Sequence, residues 1–365
     1  TKAGLKVMDW IANLSPRFWR ITGTVGIWVG FICMLFISGY LIYAFIKAIM
    51  DVFSTDIPTA ISAGVTLVLP FKIKGTFYVP FFYWVISIFV IAVIHEMAHG
   101  IIARAYNMRI KSSGLALAGI VVPIVPAAFV EPDEKEVSKR PKKEQMAVFA
   151  AGSFANILLS AFILIVLMPL MNPLTSKITD YNGVLVDDVL DDRYGTNPAK
   201  EIGIVPGDRI VAIDGASVNT LSDFTNILLE KKPHEPILVT KISASGETTS
   251  NIMELWHNAA DPSKSYFGIN AAQSSAIKPW AKEKFGMAAQ FIPWFDRLLF
   301  WIYALSLGIG LFNLLPLGPI DGGRMFKSVM EKIFKKEHHA NFAWGLTSFV
   351  FLIVIVGGLI LGFVK

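Results

Sequence analysis

Apolar positions along the chain gather into long blocks separated by short charged stretches, with one polar interlude in the second half. Five blocks are long enough to cross roughly 30 Å of hydrocarbon at about 1.5 Å per helical residue. They are residues 24–49, 81–105, 145–171, 297–317 and 341–364, and each predicts a membrane helix. Between the third and fourth, residues 181–272 begin polar and acidic (VDDVLDDR) and then alternate short apolar runs, GVLVDDV, DRIVAIDG and PILVTKIS, around one helical pattern, LSDFTNILLEK. Period-two runs bounded by Gly, Asp and Pro predict strands, so this interlude is expected to be an inserted α+β soluble domain.

Three stretches fit neither pattern. Residues 112–130, SSGLALAGIVVPIVPAAFV, are apolar, yet Gly114, Gly119, Pro123 and Pro126 argue against a spanning helix. A re-entrant β-hairpin lining a cavity is expected there. Residues 57–80, β-branched and punctuated by Gly and Pro, predict a second small sheet, and residues 280–297 predict an interfacial amphipathic helix broken at Pro293. The division that follows is 1–23, a cytoplasmic N-terminal segment; 24–172, three membrane helices; 181–272, the insert; 273–296, an interfacial linker; and 297–365, two further membrane helices.

Composition agrees with this pattern. The chain is 54% hydrophobic and 17% charged, with a mean hydropathy of +0.55, far to the apolar side for 365 residues. The formal net charge of +5 does not indicate nucleic acid, because the basic residues flank apolar blocks. Lys2, Lys6, Arg17 and Arg20 precede the first block; Arg104, Arg109, Lys111, Lys139, Arg140, Lys142 and Lys143 lie between the second and third; Arg324, Lys327, Lys332, Lys335 and Lys336 lie between the fourth and fifth. All three groups share one face if the N-terminus is cytoplasmic, which the positive-inside rule favours. A single cysteine, Cys33, excludes intramolecular disulfides. No cleaved signal peptide is expected at Thr1, and no internal repeat is visible.

Candidate chemistry sits where an apolar block should have none. Residues 91–104, IAVIHEMAHGIIAR, put two histidines and a glutamate inside the second span. Each ionisable group in hydrocarbon costs at least about 2.5 kcal/mol, so such residues usually mark a function. In a helix His95 and His99 are one turn apart on one face, the spacing with which two imidazoles reach one metal ion. Glu96 is turned about 100° from His95, near enough to reach a metal-bound water. This is the H-E-x-x-H arrangement of zinc hydrolases. A third ligand is needed, and the fourth block ends in LFNLLPLGPIDGGRM, where Pro316 and Pro319 break the helix before Asp321. A plain Asp-Gly turn leaving the membrane is the alternative for that stretch.

IHEMAHG in an early span with NLLPLGPIDGG in a late one resembles the site-2 protease family of intramembrane zinc metalloproteases. Within the insert, AKEIGIVPGDRIVAIDGASVNTLSDF resembles the PDZ family. The fold class expected is an α-helical polytopic membrane protein with about five transmembrane helices, a re-entrant β-hairpin and an inserted α+β PDZ-like domain. The first resemblance implies one Zn2+ held by His95, His99 and Asp321, with Glu96 as general base. It also implies membrane-embedded protein substrates, already shortened outside, and an active site toward the cytoplasmic side of a cell membrane with the PDZ-like domain extracytoplasmic. Asn156, in AAGSFANILLSAF of the third span, either contacts the substrate carbonyl or its developing oxyanion, as an asparagine of the family does, or bonds a neighbouring helix. Gly114 and Gly119 are expected beside the substrate strand. The resemblance to PDZ domains implies a peptide groove at Gly183, Val184, Leu185 and Val186, filled by strand addition. Two other functions fit parts of the pattern: a catalytically silent scaffold acting through the PDZ-like domain, which would be expected to lose Glu96 or a ligand, and a metal-ion transporter, for which inverted repeats are missing.

Overall fold

The computed structural model describes residues 2–53, 66–71, 77–118, 125–190, 197–258 and 261–363, and divides the chain into two compact units. The larger holds most of the helices. Five are long and apolar enough to cross a membrane: Pro16–Met50, Phe81–Ala105, Lys142–Ile178, Ala288–Asn313 and Glu337–Leu361. Their outward faces carry exposed Trp28, Ile32, Leu35, Ile165 and Phe349, the pattern of helices solvated by lipid rather than water. Inward, Ile27 and Met34 of the first span, Ile102 and Ala103 of the second, and Ala147, Ala150 and Ala151 of the third pack with Leu314 and Met325. Small residues on the third span let these backbones approach closely.

Ahead of the first span lies an additional helix, Lys2–Leu14, in the stretch expected only as a cytoplasmic segment. Its Met8 and Ala12 pack against Ile101 and Ile110, and Asp9 pairs with Arg104 at 2.8 Å. A Cβ on Gly100 would collide with the Met8 sulfur, so the glycine that follows His99 makes room for this helix.

The stretch with four helix breakers forms an antiparallel hairpin, Ile110–Ala118 with Val125–Pro132. Gly119 and Pro123 lie outside the described residues. Of the small sheet expected at 57–80, Val68–Leu69 pairs with Phe77–Tyr78 in parallel; residues 54–65 and 72–76 lie outside the described residues.

The fourth span ends at Asn313, earlier than expected. Gly318 then takes a positive φ of 42°, and a new helix, Asp321–Ile333, begins at the aspartate. Two glycines seat that helix: a Cβ on Gly322 would strike the carbonyls of Leu314 and Leu315, and one on Gly323 those of Leu317 and Gly318. The Pro-rich turn and the Asp-Gly-Gly start are therefore one packed motif.

The second unit is built on an antiparallel sheet in the order Ile269–Ile277, Thr179–Val189, Arg209–Ile213, Pro236–Ile242, Thr248–Glu254. Val184, Val186, Ile210, Ile213, Ile237 and Val239 form its core with Phe224 of the helix Leu221–Glu230, a bulge between Ile210 and Ala212 setting the spacing on the middle strand. A capping box starts that helix, with Thr220 and Asp223 each accepting the other's backbone N–H. The groove expected at Gly183, Val184, Leu185 and Val186 is corrected here. Their strand is interior to the sheet: Val184 pairs with Gln273 on one side and Ile210 on the other, and Leu185 with Ala272 and Arg209. Strand addition needs an unpaired edge, and the chain's own 269–277 segment takes it.

The break expected at Pro293 is likewise elsewhere. A short helix, Pro279–Phe285, stops at Gly286 with φ +56°, and the next helix runs unbroken from Ala288 through Pro293 to Asn313. The chain turns at Gly286 in a conformation that residues with a Cβ rarely adopt, so the break falls there and not at Pro293.

Candidate metal centre

Two helices and a turn bring three donor groups together. The second span presents His95 and His99 from one face, their rings 4.8 Å apart between centroids and crossed at 76°. The first residue of the helix Asp321–Ile333 adds a carboxylate, at a helix N-terminus where negative charge is favoured. His95 Nε2 lies 3.2 Å from His99 Nε2 and 3.3 Å from Asp321 Oδ2, and His99 Nε2 lies 3.4 Å from Asp321 Oδ1. Among the described residues, these three are the group of His, Cys, Asp or Glu able to hold one metal ion, with donor atoms within 4.8 Å of one another. Their side chains are only 12–14% exposed.

Zinc fits this donor set. A tetrahedral ion with bonds of about 2.0–2.1 Å keeps its ligands roughly 3.3 Å apart, and two imidazoles with one carboxylate leave a fourth position open. The third span supplies a matching cradle. A Cβ on Gly152 would press into the Nε2 atoms of both histidines, so only glycine leaves the space between them clear.

The same span orients all three donors. The Val148 carbonyl faces His99 Nδ1 at 2.7 Å, Ser153 Oγ donates to Asp321 Oδ2 at 2.8 Å, and the Asn156 amide meets His95 Nδ1 at 3.1 Å. A carbonyl oxygen can only accept, so His99 carries its proton on Nδ1 and turns the Nε2 lone pair toward Asp321. By residue type alone Val148, Gly152 and Ser153 do not mark a site, since small and apolar residues in a span have ordinary packing uses. Positions 148, 152 and 156 do recur every four residues, which puts them on one helix face, and that spacing is the clue to a shared task.

Glu96 is not one of the three donors. Its Oε2 accepts the backbone N–H of Val130 at 2.8 Å, which ties the carboxylate of the second span to the second strand of the hairpin. Gly114 pairs with Phe129, the neighbour of Val130, and a Cβ there would lie 2.9 Å from the Phe129 ring. Gly119 falls outside the described residues. Gly183 to Val186 belong to the second unit and have both strand edges engaged.

Comparison with known proteins adds three findings. The family model of Peptidase family M50 matches residues 83–357. An uncharacterised protein of Methanocaldococcus jannaschii is 25% identical over 353 residues, covering 93% of this chain and 78% of its own, and a Clostridium perfringens protein named "Putative zinc metalloprotease" is 24% identical over 317 residues, covering 72% and 91%. Among solved structures, the PDZ domain of an SdrC-like protein from Listeria monocytogenes is similar to 25% of this chain over 90% of its own, at 24% identity and a TM-score of 0.22.

Proposed function

Because the chain belongs to peptidase family M50, the site-2 protease family of membrane metalloproteases, we propose that it hydrolyses peptide bonds within or beside the transmembrane segments of other membrane proteins. The observation that carries this reading is the meeting of His95, His99 and Asp321 at 3.2–3.4 Å, from parts of the chain separated by the whole insert. One zinc ion held there would supply Lewis-acid polarisation of the scissile carbonyl and lower the pKa of its water.

Glu96 serves as general base: its carboxylate takes the proton of the attacking water and returns it to the leaving amine nitrogen as the C–N bond breaks. The Val130 N–H holds one of its oxygens and so limits its rotamers. A helical peptide bond is shielded by its own backbone, so the substrate must unwind locally. The hairpin, re-entrant in the membrane, then offers it strand pairing beside Gly114. The PDZ-like insert acts as a filter or docking element for substrates already shortened. The N-terminus is cytoplasmic, the insert extracytoplasmic and the catalytic end of the spans cytoplasmic in a cell membrane.

The test is a single-span reporter protein incubated with the purified chain, with products read by mass spectrometry. Cuts inside the apolar span, abolished by a zinc chelator and lowered at least about 100-fold by Glu96→Gln, are expected. Glu96→Gln should still bind zinc. Undiminished turnover by that variant removes the assigned role of Glu96, and no cleavage of any single-span reporter by the wild type removes the activity.

A further inference from the structure

Resting on the metal site proposed above, we infer that Asn156 is a positioning residue that fixes the tautomer and ring orientation of His95, and so sets the affinity of the site for its ion.

A neutral imidazole has one N–H and one lone pair, and a ring that ligates through Nε2 must carry its proton on Nδ1. For His99 the Val148 carbonyl enforces this. For His95 the group at Nδ1 is the Asn156 side-chain amide, 3.1 Å away. An amide can offer either end, since rotation by 180° exchanges Oδ1 and Nδ2 and the hydrogen-bond network decides between them. With Nδ2 toward the ring, His95 would accept at Nδ1 and carry its proton on Nε2. That proton would point at Asp321 Oδ2, 3.3 Å away, beside His99 Nε2 at 3.2 Å, and occupy the lone pair the ion needs. In that orientation Asn156 Oδ1 is also buried without a hydrogen-bond partner among the described residues, so nothing on its far side holds it there. With Oδ1 toward the ring, His95 Nδ1–H donates to it and both Nε2 lone pairs converge beside Asp321. Val148 and Asn156 then do the same task for the two rings from one face of the third span.

Asn156 is built to be held still. It is fully buried, its backbone carbonyl accepts from Ser306 Oγ at 2.9 Å, and a Cβ on Gly310 of the fourth span would come within 3.1 Å of its own Cβ. With its backbone carbonyl and Cβ packed against the fourth span, the side chain has a fixed origin from which its amide reaches the His95 ring.

Purified full-length protein in detergent is titrated with zinc against a chromophoric chelator. Four forms are compared: wild type, His95→Ala, Asn156→Leu and Asn156→Asp. Asn156→Leu, nearly isosteric but unable to accept, is expected to weaken zinc binding about 10–100-fold, while Asn156→Asp, whose carboxylate accepts the same proton, stays within about threefold of wild type. Reporter cleavage by Asn156→Leu should recover as zinc is raised to saturation. If the amide instead donates to a developing oxyanion, zinc affinity stays at the wild-type value and cleavage remains about 10²–10³-fold slow at saturating zinc. That result overturns the inference while leaving the metal site intact. So does an Asn156→Asp variant that loses as much affinity as Asn156→Leu. A wild type that takes up no zinc, or a His95→Ala variant that binds it undiminished, sinks the metal site and the inference with it.

Discussion

Gly152 sets two effects against each other. In a helix interior an alanine is worth about 1 kcal/mol more than a glycine, so Gly152→Ala should favour the third span as a helix. Its methyl group, however, would occupy the space between His95 Nε2 and His99 Nε2. The steric effect dominates because the obstacle is a pair of rings fixed by Val148 and Asn156, not the free end of a flexible chain. Gly152→Ala is expected to lose zinc and cleavage and to be less stable than wild type by about 1–2 kcal/mol, the overpacking outweighing the helix gain; metal analysis beside a melting curve checks it, and unit zinc content would disprove the cradle. At this scale the sequence was readable where chemistry is unusual for its setting. Two histidines and a glutamate in an apolar block stand out, as does an aspartate after two prolines. Ser153, Val148 and Gly152 do not, because a serine, a carbonyl and a glycine in a span have ordinary packing uses.

Elements were legible when hydropathy or a backbone constraint defined them. Each of the five spans has a counterpart in the structure, and the run with four helix breakers is a hairpin where it is described. Reading went astray where the decision belonged to a neighbour. Pro293 lies within a helix that continues past it, and the break falls at Gly286, whose positive φ separates the two helices. The alternation at Gly183–Val186 identifies a strand, but not that residues 269–277 would return to cover its edge. The insert also carries a pH-dependent element. Asp214 Oδ1 accepts the Leu238 N–H at 2.7 Å while Oδ2 pairs with Lys231 Nζ at 2.8 Å. The Lys231 ammonium holds this carboxyl below its usual range, and Asp214 in turn pushes the Lys231 amine up. A carboxyl depressed in the folded state adds stability above its unfolded value of about 3.9 and loses it as the pH falls further. Thermal unfolding of the excised insert, residues 179–277, should therefore show Asp214→Asn less stable than wild type by roughly 0.5–1 kcal/mol at pH 7. That gap should hold down to about pH 5 and close below about pH 4. A gap unchanged at pH 3 would mean that the charge contributes nothing.

For the whole molecule, the order of spans accounts for where the site can form. His99 lies roughly 9 Å along the helix axis from the end of the second span at Ala105. Asp321 follows the end of the fourth span, and Val148 to Asn156 lie roughly 9–21 Å along the third from its start at Lys142. In the proposed five-span topology the second and fourth spans run in the same direction and the third in the opposite one, which puts all three contributions toward one end of the bundle. That end is also where the basic residues between the second and third spans and between the fourth and fifth emerge. The proposal that this end is cytoplasmic and the insert extracytoplasmic rests on the positive-inside rule. The parity can be tested with single cysteines in a Cys33→Ser background, labelled by a membrane-impermeant maleimide on intact cells and on inverted vesicles. Lys139→Cys and Lys335→Cys should react only in inverted vesicles, and Ser245→Cys, in the turn after the Pro236–Ile242 strand, only on intact cells. If Ser245→Cys and Lys139→Cys reacted from the same side, an odd number of crossings between them would be impossible. The third span would then not cross, and the donors it orients could not be reached by the second and fourth from a common end.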